Sequence, residues 1–562
     1  MKTVIASVNY NPRVHSRTLS FGNQFVETLR LSGWPACSLL NPGLLVVAWA
    51  ALLAGPGISL FAQQKEKVAA ALEETVELLP FVVTGEGDTG YQTKNAVSGT
   101  RANVPVKDLP ISISIITKEL LEDLNVSYGN EALRYAPSAS SGIFNPSGAN
   151  SPGASSRGDT AFRGFGSSNN FRDGIRAPGQ SAMVNTERVE IINGPSSITY
   201  GITPPGGIYN TITKSPIFDR SFLTLFAAYD GIVGNANYGD RLMLDHNWGV
   251  KGNPFAARLA MGYSNVASIF DTWSDISFDR TYAPSVSWRP LPKTNVTFKY
   301  EHHARSDLSG GRILFKSGSN GASFPVQEYL RPDIPRTWNY LGPESLQSRK
   351  SNVYTLKVDQ RISDKWQVQA LYSRFGSYVV NADVRQFLAA DPVTNVPDTA
   401  VRLNRQYNPG WQTQRDLLLT SLWKFDVDTP LGRVANSIVV SYQSTDDHTD
   451  NINTAILGTN GRRYDAFAPL TPGFDIPSLF VGRPYSIEST AFGDNISSVY
   501  SANWQARFAE DRVLVTAAAS RVKIDQQPSD YHITATKPLI GIMYRPRAVS
   551  YTHLTLPTNR EV

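Results

Sequence analysis

Beyond Pro216 the chain alternates between apolar and polar residues with a period of two. In one such run Phe255, Leu259 and Tyr263 form the apolar phase and Arg258 belongs to the polar phase. Successive side chains of a β-strand point to opposite faces, so each run predicts a strand with two different faces. About a dozen candidate strands follow from this pattern. The clearest of the others carry these apolar-phase residues: Val296, Phe298, Tyr300, Tyr354, Leu356, Val358, Trp366, Val368, Tyr372, Leu419, Trp423, Phe425, Ile438, Val440, Tyr442, Trp504, Phe508, Val513 and Val515.

Two kinds of connection join these strands. Short turns at 363–365, 428–432 and 510–511 predict hairpins, whereas the polar connections 306–348 and 446–500 are far longer and rich in Gly, Asn and Asp. Strands of about ten residues with aromatic ends, short turns on one side and long loops on the other are typical of a transmembrane antiparallel β-barrel. The long loops then mark its extracellular side. A soluble β-sandwich would alternate in the same way, but the Trp and Tyr content of the apolar phase favours the barrel.

Residues 108–216 differ in texture and predict a compact α/β domain. Isoleucine and serine alternate over 111–115, which predicts a strand, and Thr117 is placed to cap a short helix after it. A second short helix is expected over 131–135, before a proline. The tract 138–168 is rich in Ser, Gly, Asn and Pro, which predicts loops with fixed turns.

The first 62 residues predict an export signal. Leu44–Leu53 is an apolar run of the length of a signal-peptide core, and it is too short for a spanning helix of roughly 20 residues. Small residues follow it, and we expect cleavage near Ala62, after an extended basic N-terminal region. A buried core helix is the alternative. The sole cysteine, Cys37, precedes the apolar run, so the mature chain is expected to contain none.

Residues 63–107 predict a polar lead and linker that contain one β-prone segment, 79–84 (LPFVVT). Exposed strand-formers of this kind invite pairing with the sheet edge of a partner, although an ordinary first strand would look the same. Gly85, Gly87 and Gly90 have the spacing of a dinucleotide-binding turn. No apolar helix follows them, and neighbouring acidic residues would repel phosphate, so we interpret this stretch as a flexible linker.

Composition narrows the class of function. Hydrophobic residues make up 41% of the chain, aromatic residues 10% and charged residues 18%, which fits a surface in lipid. The net charge of +5 is small, and no dense Lys/Arg block with interleaved aromatics occurs, so we do not expect nucleic-acid binding. No acidic pair stands out as the carboxylates of a hydrolase would. We therefore expect no enzyme activity, no cofactor and no resident metal.

Several motifs resemble one family in the order in which they occur. The run 187–195 (ERVEIINGP), Tyr200-Gly201, Pro205-Gly206-Gly207 and 210–214 (NTITK) resembles the end of the plug domain of TonB-dependent outer-membrane receptors. The ferric-siderophore receptors are the branch it resembles most. DLPISISIITKELLED from Asp108 and FRGFGSSNNFRDGIRA from Phe162 are similar to earlier parts of the same plug. The TonB box of the family is similar to this chain at Phe81, Val82, Val83 and Thr84.

The resemblance implies a 22-stranded barrel with the plug inside its lumen, in the outer membrane of a Gram-negative cell. It implies active import of a ferric siderophore or similar large chelate by a monomer, with TonB and its inner-membrane complex as partners and lipid around the barrel. Iron would enter only as a bound chelate. The plug residues that carry the structural motif are Arg163, Gly164, Glu187, Arg188, Glu190, Gly194, Pro195, Gly201, Gly206, Gly207 and Asn210. The charged ones could pair with wall residues such as Arg258 or Lys299, although for each of them alone a solvated position or a local ion pair is favoured.

Candidate ligand contacts lie in apical plug loops and in a barrel loop. These residues are Arg172, Asn169, Asn170, Trp338 and Tyr340. His302 and His303 are neighbours on a predicted strand and should point to opposite faces, which argues against a metal pair. Oligosaccharide or cobalamin could use the same architecture, and a passive porin or an exported carbohydrate-binding β-protein are alternatives from other classes.

The barrel is expected over 217–548, followed by a tail over 549–562 that neither alternates nor ends on an aromatic residue. That tail resembles non-native sequence. About a dozen strands are fewer than the family has, and an open sheet edge in lipid leaves backbone groups unpaired. We therefore expect missing C-terminal strands and no stable insertion of this chain alone.

Overall fold

The computed structural model describes residues 90–545, apart from these gaps: 125, 127–130, 138, 142–159, 164, 168–169, 178–181, 195, 202, 204, 232–237, 266–277, 309–345, 391–396, 431, 457–462, 466–484 and 510. The predicted export signal, the segment 79–84 and the tail lie outside the described residues. In the described part of the chain, no helix is long and apolar enough to cross a membrane.

The N-terminal domain, residues 90–215, is here called the plug. Its elements are β1 (Asn95–Ala96), β2 (Val104–Pro105), β3 (Ser112–Thr117), α1 (Lys118–Asp123), β4 (Ala139–Ser141), β5 (Thr160–Phe162), β6 (Phe165–Ser167), β7 (Asn170–Arg172), β8 (Ile175–Ala177), β9 (Thr186–Asn193), α2 (Ser197–Tyr200) and β10 (Gly207–Thr213), with 3-10 helices at Val106–Asp108, Glu131–Tyr135 and Met183–Asn185.

A five-stranded sheet in the order β3-β9-β10-β7-β8 forms the centre of the plug, and only its β10–β7 pair is parallel. The predicted strand and cap are confirmed, since the Thr117 hydroxyl accepts a hydrogen bond from the Leu120 amide at 3.3 Å. Burial of apolar side chains holds the short helices against this sheet. Leu121, Leu133 and Ile191 are fully buried in one apolar cluster, which joins α1 and the second short helix to the sheet.

The second sheet is here called the wall. Its strands are β11 (Phe222–Gly231), β12 (Tyr238–Gly249), β13 (Phe255–Asn265), β14 (Phe278–Leu291), β15 (Thr294–Leu308), β16 (Leu346–Arg361), β17 (Trp366–Ala390), β18 (Pro397–Thr429), β19 (Gly432–Ile456), β20 (Arg463–Asp465), β21 (Tyr485–Phe508), β22 (Val513–Gln527) and β23 (Tyr531–Tyr544). Neighbours in sequence pair antiparallel throughout, except that the short β20 adds to β18. In the described residues no ladder joins β11 to β23, so the sheet is not closed.

The period-two pattern matches the two faces of the wall. Phe298 and Tyr354 are exposed on the outer face, whereas Thr297 and Thr355 are buried on the inner face against the plug. Wall residues that contact the plug extend from Asp245 on β12 to Lys537 on β23. The plug therefore lies against the inner face across most of the described wall.

The predicted loop 446–500 is wrong in part. β19 continues to Ile456 and β21 begins at Tyr485, with Asp446 paired to Ile496 in the ladder. The two strands continue beyond their last apolar-phase residues. They can do so because backbone hydrogen bonds hold the ladder together and do not require an apolar outer face. For the other long connection, β15 ends at Leu308 and β16 begins at Leu346.

Candidate functional site at the interface of plug and wall

A cluster of buried charges joins the end of the plug to β12 and β13. Arg258 donates two hydrogen bonds of 2.8 Å to Asp245 and one of 3.3 Å to Glu187 of the plug. Lys214 of the plug pairs with the same Asp245 at 2.7 Å, and Lys118 lies 3.5 Å from it. Burial lowers the pKa of Lys214, since Asp245 only partly offsets the loss of water. The contact predicted between plug charges and Arg258 is therefore present, and it is made by Glu187.

A second ionic contact lies further along the wall. Arg172 donates two hydrogen bonds, each of 2.6 Å, to the two carboxylate oxygens of Glu301 on β15. The Asn185 amide donates to the same carboxylate. Burial alone would lower the pKa of Arg172, but the charge of Glu301 outweighs it and the pKa is raised. Such a bidentate pair fixes orientation as well as distance.

The turn between β7 and β8 makes the third contact. Asp173 and Gly174 adopt positive φ angles of 49° and 85°, which suits an Asp-Gly dipeptide in a tight hairpin. The Asp173 carboxylate accepts a hydrogen bond of 2.9 Å from the Thr213 amide and lies 3.5 Å from Lys299 of β15. Burial opposes ionisation of Asp173, but Lys299 and Arg172 outweigh it, so its pKa is lowered.

Two charged residues of the plug motif form a local ion pair, the alternative favoured above. Arg188 and Glu190 pair with each other inside the plug, and Glu190 also accepts hydrogen bonds from the amides of Val97 at 3.1 Å and Ser98 at 2.7 Å. Residues 188 and 190 share the face of β9 that covers the N-terminal segment. Arg163 is exposed and its nearest hydrogen bond is to the Asn193 carbonyl at 3.4 Å.

The predicted glycine motif is explained by close backbone approach. A Cβ on Gly206 would lie 2.0 Å from the Phe162 carbonyl oxygen, and one on Gly207 would lie 2.3 Å from that of Ile192. Gly194 and Gly201 adopt positive φ angles of 124° and 80°. Gly164 and Pro195 lie outside the described residues.

Asn210 of the same motif bridges two parts of the plug. Its amide donates to the Ser98 hydroxyl at 2.9 Å, and its carbonyl oxygen accepts from the Gly174 amide at 3.1 Å. The side chain is buried, at 1% exposure. The sequence did not indicate this role, because residues 98, 174 and 210 meet only in the folded plug.

The predicted ligand contact Arg172 requires correction. Its side chain is 10% exposed and is bound to Glu301, so it does not face an external vestibule. Asn170 is half-buried in β7. Asn169, Trp338 and Tyr340 lie outside the described residues.

The two neighbouring histidines do face opposite sides of β15. His303 is buried and lies 2.7 Å from Asp279, whereas His302 contacts Asn352 at 2.9 Å on the outer side. Over the described ranges, no group of three or more His, Cys, Asp or Glu side chains is placed to hold a metal ion.

Sequence reasoning missed several residues of this interface. Asp173, Asp245 and Glu301 are acidic partners of the three ionic contacts, and Arg101 is a buried cation that donates to the Thr199 carbonyl at 2.8 Å. Burial lowers the pKa of Arg101 to about 10. The available signals were the Asp-Gly turn dipeptide and the acidic residues in the polar phase of strands. Neither signal indicates a partner.

Comparison with known proteins supports the assignment of a plug domain to the N-terminal part of the chain. The family profile described as "TonB-dependent Receptor Plug Domain" matches residues 105–208. The chain therefore carries the plug domain of a TonB-dependent receptor. The exposed aromatic and aliphatic side chains on the outer face of its wall form a surface suited to lipid.

Two curated relatives of the receptor match over part of their length. The ferrioxamine receptor of Yersinia enterocolitica is 27% identical over 40% of this chain and 30% of its own length. The ferrichrome outer membrane transporter/phage receptor of Escherichia coli (strain K12) is 28% identical over 56% of this chain and 41% of its own. The chain thus spans less than half the length of either relative.

A solved structure shares the fold of the receptor. The ferripyoverdine receptor of the outer membrane of Pseudomonas aeruginosa, bound to ferripyoverdine, superimposes with a TM-score of 0.64 at 18% identity. The match covers 90% of this chain and 63% of that one. The predicted fold class, a mainly β barrel-type wall with an α/β plug, is confirmed.

Proposed function

We propose that the protein imports a ferric siderophore, or a similar large chelate, across the outer membrane at the expense of energy supplied by TonB. The observation that carries this proposal is the set of buried ionic contacts between plug and wall: Glu187 with Arg258, Arg172 with Glu301, and Asp173 with Lys299. A plug held in this way obstructs passive diffusion. The names of the two curated relatives support an iron chelate as the cargo.

Force must reach these contacts from the N-terminal side. The predicted TonB box, 79–84, precedes β1, and the Glu190 carboxylate holds the amides of Val97 and Ser98 shortly after it in the chain. Addition of the box as a strand to a sheet of TonB would supply main-chain hydrogen bonds that resist a pull together. In this scheme the protein binds, holds and releases its cargo, and it catalyses no reaction.

Removal of residues 79–84 tests the mechanism. This experiment and the later ones in cells use a gene that also encodes the C-terminal strands expected above. We expect uptake of the ferric chelate to be lost while binding at the cell surface survives, because the ligand surface lies at the other end of the barrel. Val83→Pro with Val83→Ala as its matched control gives a finer version, since proline removes a strand hydrogen bond and alanine does not. Unchanged uptake after the deletion contradicts energised import.

The class of cargo needs a separate measurement. Growth on iron-starved medium with single ferric siderophores, compared with a strain in which the gene is disrupted, should show a growth defect for one of them. A defect for cobalamin or an oligosaccharide instead would keep the import mechanism and replace the cargo.

A further inference from the structure

Two cavities with several charged residues in their lining lie between the plug and the inner face of β15 to β18. The upper cavity has a volume of about 30 Å³ and is lined by Arg176, Glu301, Ser351 and Asp416 among others. The lower cavity has a volume of about 70 Å³ and is lined by Arg101, Lys299, Lys357 and Gln369 among others. An ordered water needs roughly 10–15 Å³ of such space, so both cavities are large enough for water.

The cavities follow each other along the strands. β16 runs from Leu346 at its long-loop end to Arg361 at its turn end, and it contributes Ser351 to the upper cavity and Lys357 to the lower one. Asp173 lines both cavities, as does Thr355. The tip of the β7–β8 hairpin therefore lies at the boundary between the two.

Polar and apolar contacts together close that boundary. Asp173 pairs with Lys299 at 3.5 Å, and Lys299 also donates to the Thr213 hydroxyl at 2.7 Å. On the other side of the tip, Ile175 packs against Leu371 and Leu418 in a small buried cluster. Both contacts lie on one short hairpin, so a shift of that hairpin alone would join the two cavities.

The N-terminal segment of the plug is the lower boundary. Val97 and Arg101 line the lower cavity. Asn210 hydrogen-bonds to Ser98 on one side and to Gly174 at the hairpin tip on the other. Withdrawal of residues 97–101 would thus open the lower cavity and remove a support of the tip in the same movement.

We propose that these cavities are the closed form of a route for the cargo along β15 to β18, and that the β7–β8 hairpin is its inner gate. The inference rests on the proposed function and adds the position of the path. The charged residues in its lining, such as Lys299 and Lys357, can contact polar groups of a solute. On this view the rest of the plug can stay docked while cargo passes.

A reversible tether tests the position of the gate. A Cβ on Gly174 would lie 4.0 Å from Cδ2 of Leu418, so a Gly174→Cys, Leu418→Cys pair is chosen to join the hairpin tip to β18, and loss of free thiols verifies that the disulfide forms. The sole native cysteine, Cys37, lies in the predicted export signal. Under oxidising conditions we expect at least tenfold lower uptake of the ferric chelate, unchanged surface binding, and recovery after reduction. Each of the two single-cysteine variants should give the same uptake in oxidising and in reducing conditions.

Gly201 supplies a matched control. Its φ of 80° is close to the 85° of Gly174, and a Cβ there would lie 2.7 Å from Val499 on β21, which β19 separates from β18. The oxidised Gly201→Cys, Val499→Cys pair should leave uptake within twofold of the reduced form. Equal loss with both tethers, or no loss with the first, overturns the route. Absence of any uptake by the untethered protein refutes instead the proposed function.

A second measurement requires neither knowledge of the cargo nor energy supplied by TonB. Asp173→Asn combined with Lys299→Met keeps the turn but removes the ion pair that closes the boundary. In cells whose receptor also lacks 79–84, we expect at least fourfold greater susceptibility to vancomycin, a bulky hydrophilic antibiotic. Arg433→Ala, which removes an exposed pair on a turn, is the control and should change nothing. Unchanged susceptibility of the gate variant overturns the proposal.

Discussion

Arg172 of the plug and Glu301 of the wall form a buried bidentate ion pair with two hydrogen bonds of 2.6 Å. The two residues are 129 positions apart, and the pair forms only when the β7–β8 hairpin lies against β15. Both side chains are buried, and the attraction between their charges offsets the free-energy cost of removing each charge from water.

Removal of Glu301 should therefore weaken plug docking strongly. Glu301→Ala leaves the Arg172 guanidinium buried without its carboxylate, and loss of one partner of such a pair costs about 3–5 kcal/mol. The measurement is the denaturant concentration at which the plug becomes sensitive to protease. The exposed pair of Arg433, 71% exposed, with Asp426 is the control, and Arg433→Ala should leave this denaturant concentration unchanged, because water screens an exposed ion pair.

The double variant Arg172→Met, Glu301→Met separates ionic pairing from packing. Replacement of both charges by apolar groups should recover most of the lost stability, because no uncompensated charge remains. Additive losses in the two single variants and the double variant would show that the pair makes no specific contribution.

A second expectation concerns the glycine motif. Gly206→Ala places a methyl group 2.0 Å from the carbonyl oxygen of Phe162, which belongs to a fully buried residue and cannot move aside. Overpacking costs about 1–3 kcal/mol even where side chains can shift, so we expect at least about 3 kcal/mol here and little folded plug. Gly376→Ala, with no heavy atom within 4 Å, should accumulate in the membrane like the parent. Normal amounts of the Gly206 variant would contradict the close backbone approach.

A third expectation is a dependence on acid. The pKa of Asp173 lies below its ordinary value of 3.8, so its contribution to docking is complete above that pH and is lost as the pH falls through the lowered value. The part of docking that depends on Asp173 should thus be lost only below about pH 4, where protease sensitivity of the plug should rise. Asp173→Asn should remove part of this rise. A transition near neutral pH that survives the substitution would assign it to other groups.

A fourth expectation follows from the extended strands. The ladder that pairs Asp446 with Ile496 continues to Ile456 and Tyr485, so these amides should exchange with deuterium slowly. Tyr442 and Tyr500 are paired in this ladder and belong to the apolar phase. Protection from exchange should decline gradually from this pair toward Ile456 and Tyr485. Exchange within seconds over 446–452 would restore the original prediction of a loop there.

Much of the fold could be predicted because its signals are local. Alternation at Phe255 to Tyr263 requires only that one face meets lipid and the other does not, and the cap at Thr117 requires only its own turn of helix. The glycine at 206 was identified by its motif, although only the neighbouring Phe162 carbonyl gives the reason. The length of β19 and β21 could not be predicted, because a polar ladder beyond the lipid has no apolar phase to mark it.

The sequence by itself determined the two-faced strands, the short turns and the plug motifs, since each depends on residues within a few positions of one another. Tertiary structure alone decided which charges meet. Arg172 was predicted to contact the ligand, but its side chain is bound to Glu301. Glu190 accepts hydrogen bonds from the amides of Val97 and Ser98 within the plug and does not face the wall. The energy of an ion pair depends on the distance between its two charges in space. Packing of elements that are distant in sequence sets that distance, so the order of residues along the chain does not reveal it.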